Sequence, residues 1–338
     1  MINWGIVGLG NMGEKFAQSI QNVENSKLIS IASRSKIKLN KFGNTFNIDN
    51  KNRYSDYLDL ISSKNIDAVY ISTLNNSHLE LIEICANNNK KILCEKPITI
   101  NFKQVKKVEK ILKEFKVFFH EAIAYRSHPQ TTEILRLLKS GEIGNIEKIE
   151  STFGFKVRKV NKSSRLFNKD FGGGAILDLG CYPISFFYLF CDNDKELEYI
   201  SSKGSYATTG VDNYAEIDFL IKSKIKAKAK VSLKENYQNS CRIYGDEGMM
   251  NIPSPWLPEK KRYIEIFKGK SYYKKFTVSS KDIYANQLAK VSNSFNNMNG
   301  EHNKLLIDID DSVKIMKTID NWSNKISQSW KKLLVIVL

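Results

Sequence analysis

The chain lacks any hydrophobic run long enough to cross a bilayer. Its longest apolar stretch near an end, Leu333 to Leu338, is six residues, against the roughly 20 that a spanning helix needs. A basic leader with a small-residue cleavage site is also missing, because the N-terminus enters the apolar run Ile2 to Val7 almost at once. A cytoplasmic protein without a membrane partner is therefore expected. The five cysteines, Cys85, Cys94, Cys181, Cys191 and Cys241, are an odd number with no C-x-x-C spacing, so neither a metal centre nor a disulfide framework is expected. Arginine is scarce too, 8 of the 52 basic residues. The formal charge of +16 is carried mostly by scattered lysine, not by the arginines and aromatic platforms that read bases, and no nucleic-acid partner is expected.

What is present is a globular composition, 338 residues of which 42% are hydrophobic, with room for two domains. In the first third, the apolar runs Ile2 to Val7, Leu28 to Ala32, Ala68 to Thr73, Lys91 to Cys94 and Val117 to Glu121 alternate with helical segments such as His78 to Asn88. That alternation predicts a doubly wound parallel sheet, covered on both faces, over residues 1–121. Beyond residue 122 come a helix through Ile134 and Leu138, a strand from Ile146 to Val157, a glycine-rich turn opening an apolar helix near Gly174, and strands through most of Tyr199 to Val278. Ile225, Ala227, Ala229, Val231 and Leu233 alternate with Lys226, Lys228, Lys230 and Ser232, the period of two that marks a half-buried strand. Residues 122–338 read as an α+β domain on one large, mostly antiparallel open sheet. Two helices, around Ile283 to Phe295 and Asp310 to Trp322, are expected to complete it.

Gly8, Gly10 and Gly13 form G-x-G-x-x-G directly after the first strand and before a helix beginning near Met12. In that setting Gly8 permits a tight turn, Gly10 lets the backbone approach a pyrophosphate, and Gly13 lets helix and strand pack closely. The helix start adds unpaired N–H groups that favour an anion. Gly8, Gly10, Asn11, Met12 and Gly13 are thus expected to hold a dinucleotide, which makes residues 1–121 a Rossmann domain. The acid that would hold the ribose 2'-hydroxyl of NAD is missing, since Asn25 to Ile48 contains no carboxylate and the second strand runs into Ser33, Arg34, Lys36 and Lys38. A phosphate needs donors and positive charge, which Ser33, Arg34 and Lys38 can supply. NADP(H) is expected over NAD(H).

Glu95, Lys96 and Pro97 follow the strand Lys91 to Cys94, at the sheet edge where open α/β proteins bind ligands. A lysine there can favour a substrate alkoxide. Alone, the motif is too short to carry a function. Further on stands the segment Phe171, Gly172, Gly173, Gly174, Ala175, Ile176, Leu177, Asp178, Leu179, Gly180, Cys181, Tyr182, Pro183. With G-x-G-x-x-G, E-K-P and the run Glu121, Ala122, Ile123, Ala124, Tyr125, Arg126, Ser127, His128, Pro129, it closely resembles the glucose-fructose oxidoreductase and inositol dehydrogenase (Gfo/Idh/MocA) family. The branch it looks most like is that of dihydrodiol and D-xylose (aldose) dehydrogenases, and the resemblance covers nearly the whole chain.

The resemblance implies catalytic roles for Lys96, from E-K-P, and for Asp178 and Tyr182, from D-x-G-x-Y. Residues four apart share one face of a helix. Much of the family has His at the last of these positions, and the tyrosine here favours aldoses, polyols or cyclic dihydrodiols over cyclitols. Cofactor contacts from Thr73, Asn75, His78, Glu95, Lys96, Glu121 and Arg126 are implied as well, although Leu74 stands where the family often has proline. So is a homodimer or homotetramer assembled through the second-domain sheet, although the lysine face Lys226, Lys228, Lys230 would be costly to bury against itself. His120 and His128 are given structural roles.

The expected chemistry is hydride transfer between a carbinol carbon and the nicotinamide, in carbohydrate metabolism. Tyr182 takes the hydroxyl proton, helped by Lys96, and Asp178 orients the pair. A nucleotide-linked or amino sugar is the alternative substrate, for which Arg158, Lys162 and Arg165 before Gly172 could bind a second pyrophosphate. A sensor that binds NADPH without turnover is the alternative of another class, since fold alone does not fix function.

Overall fold

The computed structural model describes residues 1–191, 197–269, 271–280, 282–296 and 303–337. In chain order the elements begin β1 (Ile2–Val7), α1 (Asn11–Ser19), β2 (Ser26–Ala32), α2 (Lys36–Thr45), β3 (Arg53–Tyr54), α3 (Tyr57–Ser62), β4 (Ala68–Ile71), α4 (His78–Asn87), β5 (Lys91–Glu95), α5 (Phe102–Phe115) and β6 (Phe119–Ala122). There follow α6 (Pro129–Lys139), β7 (Ile146–Gly154), α7 (Ala175–Leu179), α8 (Cys181–Phe187), β8 (Glu198–Tyr206), β9 (Asp212–Ile221), β10 (Ile225–Ser232) and β11 (Tyr237–Gly245). The chain closes with β12 (Met249–Pro253), β13 (Lys261–Lys268), β14 (Ser271–Ser279), α9 (Ile283–Asn296) and α10 (Ile309–Val337). It divides into two compact units, Met1–Ser127 with Lys281–Val313, and His128–Ser280 with Lys314–Leu338.

In the first unit six parallel strands take the order β3-β2-β1-β4-β5-β6. All four residues of β4 are buried, because helices cover both faces of a parallel sheet and its inner strands read as unbroken apolar runs. The direction of winding reverses between β1 and β4, which opens a crevice at the carboxyl ends of the strands. Trp4 of β1 meets Phe16 of α1 edge-on at 5.4 Å, and Phe16 stacks on Tyr70 of β4 at 4.2 Å. Phe295 of α9 lies 5.8 Å from Trp4, with Leu288 and Val291 in the same core. The helix that chain order assigned to the second domain therefore packs in the first unit. Its apolar face required burial, and the sequence did not encode against which sheet.

The second unit carries an eight-stranded sheet in the order β14-β13-β12-β11-β7-β10-β9-β8. Every neighbouring pair is antiparallel except β10 with β7. On β10 Ala227, Ala229 and Val231 are buried while the lysines between them are not, as the alternation requires. Ile315, Ile319, Trp322 and Ile326 form one buried stripe along α10. The run from Leu333 continues α10 as far as Val337, since neither glycine nor proline interrupts the chain after Ile309; Leu338 lies outside the described residues. Among the described residues no single helix is long and apolar enough to cross a membrane.

Candidate functional site

The three glycines after β1 differ in what surrounds them. Gly8 has φ +94, and a Cβ there would lie 2.8 Å from Thr73 Cγ2 and 2.9 Å from the Ser72 carbonyl carbon. A Cβ on Gly13 would come within 2.7 Å of the Gly8 carbonyl oxygen, so this glycine lets α1 lie against the turn. Gly10 would meet nothing within 4 Å. It is the N-cap of α1 and makes no side-chain cap, whereas Ser35, Asp56, Asn101 and His128 cap α2, α3, α5 and α6 with their side chains. Exposed Asn11 and half-buried Met12 open α1 beside it. The helix start thus presents backbone N–H groups and an open approach, a fit for a dinucleotide pyrophosphate.

At the end of β2 the Ser33 hydroxyl is buried and accepts from Ser35 N at 3.2 Å. Arg34 is exposed, with its guanidinium 5.1 Å over the Tyr57 ring. Lys38 is exposed in the first turn of α2, its N–H donating to the Ser35 hydroxyl. The ring contact orients an otherwise mobile cation.

Hydrogen bonds tie the remaining strand ends together. Ser72 Oγ donates to the Gly8 carbonyl at 2.7 Å. His78, fully buried, has Nδ1 3.1 Å from the Pro97 carbonyl oxygen and Nε2 3.4 Å from that of Thr73, so it joins the loops after β4 and β5. Burial lowers its pKa to about 4, and the ring is neutral at physiological pH. Tyr70 donates to buried Glu95, and Lys96 is half-buried beside it, before Pro97. Buried Glu121 accepts from Ile98 N at 3.0 Å and from Ser312 Oγ at 2.7 Å. Burial pushes its carboxyl up to about 7, against those two hydrogen bonds; Glu95 adds to the rise and Lys96 opposes it. Arg126 is buried and donates to the Lys304 carbonyl. Half-buried Thr73 and Asn75 and exposed Leu74 form the loop after β4. The expected cofactor residues of this unit therefore all lie at or just beyond the carboxyl ends of β1, β2, β4, β5 and β6.

In the second unit Asp178 and Tyr182 do not share one continuous helix. Asp178 belongs to α7 and Tyr182 to α8, and the helical stretches Lys169–Leu179 and Cys181–Phe190 are bent by 47°. Pro183 has no N–H to offer the Leu179 carbonyl, which ends α7 there. A Cβ on Gly180 would lie 2.4 Å from the Ile176 carbonyl oxygen and 3.1 Å from Trp322, so the bend requires glycine. The Asp178 side chain is 7% exposed and pairs with Arg165 Nη1 at 2.9 Å. Tyr182 is half-buried, its ring edge-on to Phe153 at 5.3 Å.

The triple glycine serves its own unit. A Cβ on Gly173 would sit 2.8 Å from the carbonyl oxygens of Leu166 and Asn168, and one on Gly174, at φ +124, would sit 2.3 Å from Asp212 Oδ1. Asp212 Oδ2 accepts from Ile176 N at 2.7 Å, capping α7 from β9. Burial pushes this carboxyl up to about 6, against the N–H donors of Ile176 and Ala175. Sequence reasoning missed Asp212, Tyr70, Ser72 and Ser312, which belong to no local motif. Among the described residues no group of three or more His, Cys, Asp or Glu could hold a metal ion.

Residues 2–123 match the Gfo/Idh/MocA oxidoreductase family model with its NAD-binding Rossmann fold, and residues 131–251 match the Gfo/Idh/MocA C-terminal domain. A trans-1,2-dihydrobenzene-1,2-diol dehydrogenase of Xenopus tropicalis is 31% identical over 258 residues, 75% of this chain and 76% of the relative; the human protein of that name is 25% identical over 76% of each. Among solved structures, a 3-ketoreductase from Actinomadura kijaniata, in complex with NADP and TDP-benzene, superposes with a TM-score of 0.86 over 96% of this chain and 97% of that one, at 20% identity. An aldose-aldose oxidoreductase from Caulobacter crescentus, complexed with glycerol, gives 0.86 over 97% and 98%, at 19% identity. At those identities the two structures establish the fold.

Proposed function

The chain belongs to the Gfo/Idh/MocA oxidoreductase family, and on that premise we propose that it is an NADP-dependent dehydrogenase acting on a CH–OH group of an aldose, a polyol or a cyclic dihydrodiol. The observation that carries the reading is the row of residues along the carboxyl edge of the first sheet: Arg34 after β2, the open glycine turn after β1, Thr73 after β4, Lys96 after β5 and Glu121 near the end of β6. Gly10 and the N-terminus of α1 would hold the pyrophosphate, and Ser33, Arg34 and Lys38 the 2'-phosphate. When bound, the nicotinamide accepts or supplies the hydride.

The protein's own groups handle the proton. In the oxidation direction Tyr182, reacting as the phenolate, accepts it from the substrate hydroxyl and becomes the neutral phenol, and the Lys96 ammonium stabilises the oxygen as it gains negative charge. Asp178, ionised beside Arg165, holds a substrate hydroxyl by accepting its hydrogen bond. The dihydrodiol dehydrogenases among the relatives support a CH–OH substrate. Against a nucleotide-linked sugar, Arg165 is engaged with Asp178, which removes one of the three cations a second pyrophosphate would need.

The test is a panel of aldoses, polyols and cyclic diols read by the absorbance of reduced nicotinamide, run on wild type, Lys96→Ala and Tyr182→Phe. We expect turnover of at least one class and a loss of roughly 10²- to 10⁴-fold in each variant. NADPH binding without oxidation of any panel member would favour the sensor instead. A cytoplasmic location and a homodimer or homotetramer complete the proposal, to be checked by fractionation and light scattering.

A further inference from the structure

We propose that Arg165 is a positioning residue for the reaction, and that the triple glycine exists to deliver it. The inference rests on the reading of Asp178 as a group that touches substrate. Asp178 is nearly enclosed while the Arg165 side chain, 2.9 Å away, is 53% exposed. A carboxylate withdrawn from water stays ionised only if it is paired and hydrogen-bonded. Arginine is the suited partner because it keeps its proton at every working pH and its planar fork fixes direction as well as charge. With Arg165 in place, Asp178 can only accept hydrogen bonds, which is what holding a substrate hydroxyl demands.

Arginine on a surface loop would ordinarily wander, and the local backbone prevents it. Gly174 N donates to the Leu166 carbonyl at 3.0 Å and Gly173 N to the Asn168 carbonyl at 2.9 Å. Gly173 allows the two chains to lie that close, since a Cβ there would overlap both carbonyl oxygens. Phe167, 2% exposed, anchors the same stretch from below. On the far side Asp212 caps α7 through Ile176 N. Asp178 is therefore gripped by the loop on one side, while its helix is pinned by β9 on the other.

The experiment is steady-state kinetics on Arg165→Met, Arg165→Lys, Gly173→Ala and Asp178→Asn, on the best substrate from the panel, with a thermal melt of each. Arg165→Met is expected to lower kcat by roughly 10- to 100-fold, the cost of a misplaced reacting group, with the KM for NADP unchanged and the melting temperature kept. Arg165→Lys should recover part of kcat, because the charge returns without the fork. Gly173→Ala should reproduce the Arg165→Met defect while Arg165 is still present. Wild-type kcat in Arg165→Met, or a defect confined to substrate KM, would overturn the proposal while leaving the function intact, provided Asp178→Asn is impaired. Wild-type turnover in Asp178→Asn would instead remove the catalytic reading of Asp178, and the role of Arg165 with it.

Discussion

At the scale of single residues, the glycines of the first turn make opposite predictions although they belong to one motif. Gly10 has an ordinary extended backbone and open space where a Cβ would go, so Gly10→Ala should fold as wild type does, within about 0.5 kcal/mol. The added methyl would occupy the approach proposed for the pyrophosphate, and NADPH affinity, read by fluorescence titration, should fall at least about tenfold. Gly13→Ala brings a methyl against the Gly8 carbonyl and should cost about 1–3 kcal/mol in urea unfolding. Equal stability of the two variants would mean that the turn is packed differently. Arg34 offers a second residue-level test, because its place on Tyr57 leaves a charge where NAD-binding chains keep an acid. Arg34→Ala should weaken NADPH about tenfold or more, the worth of a charged hydrogen bond, and leave NADH almost unchanged. An unaltered ratio of the two affinities would remove Arg34 from cofactor selection.

At the scale of elements, legibility followed sequence distance. The inner strands of the first sheet could be read because burial on both faces leaves unbroken apolar runs, and β10 because its lysines alternate with alanine and valine. β3 could not, since a strand of two residues has no period. The site divided the same way. The glycine turn, E-K-P and D-x-G-x-Y are local strings, whereas the pairs Arg165–Asp178, Asp212–Ile176 and Glu121–Ser312 join residues 13, 36 and 191 positions apart, and no spacing rule encodes such pairs. The bend between α7 and α8 lay between these cases: Gly180 and Pro183 are visible in the sequence, but Trp322, which presses on Gly180, is not visible as its neighbour. Gly180→Ala should therefore both destabilise the fold, by about 1–3 kcal/mol, and lower kcat through displacement of Asp178 and Tyr182. Unfolding curves and turnover measured together would check this, and a variant destabilised yet fully active would uncouple the bend from catalysis.

At the scale of the whole molecule, buried ionisable groups make stability depend on pH with opposing signs. Glu216 lies outside the physiological window. Burial would raise its pKa, but hydrogen bonds from Lys228, Lys230 and Tyr214 hold it down to about 2, so its contribution is lost only as pH falls from about 4.5 through that value. These same contacts offset the lysine face of β10, with Lys230 Nζ 3.1 Å and Lys228 Nζ 3.0 Å from the carboxylate. His78 acts at higher pH. Its folded pKa of about 4 is below the unfolded value, so the stability of the neutral ring is present above about 6.5 and is lost as pH falls through 4. Glu121 has the reverse sign, because its folded pKa of about 7 lies above the unfolded 4.5. Its favourable state is the protonated one, complete below about 4.5 and lost as pH rises through 7. Asp212, raised to about 6, runs in the same direction and levels off earlier. Because these contributions overlap with opposite signs, the wild-type profile alone is a poor probe of any one group. The difference between Glu121→Gln and wild type isolates the one group, since glutamine can still accept from Ile98 N and donate to Ser312. From pH 5 to pH 8 that difference in unfolding free energy should move by about 2 kcal/mol in favour of the variant. A difference that stays constant across this range would mean that Glu121 is ionised in the folded protein throughout, held so by Lys96 and its two donors.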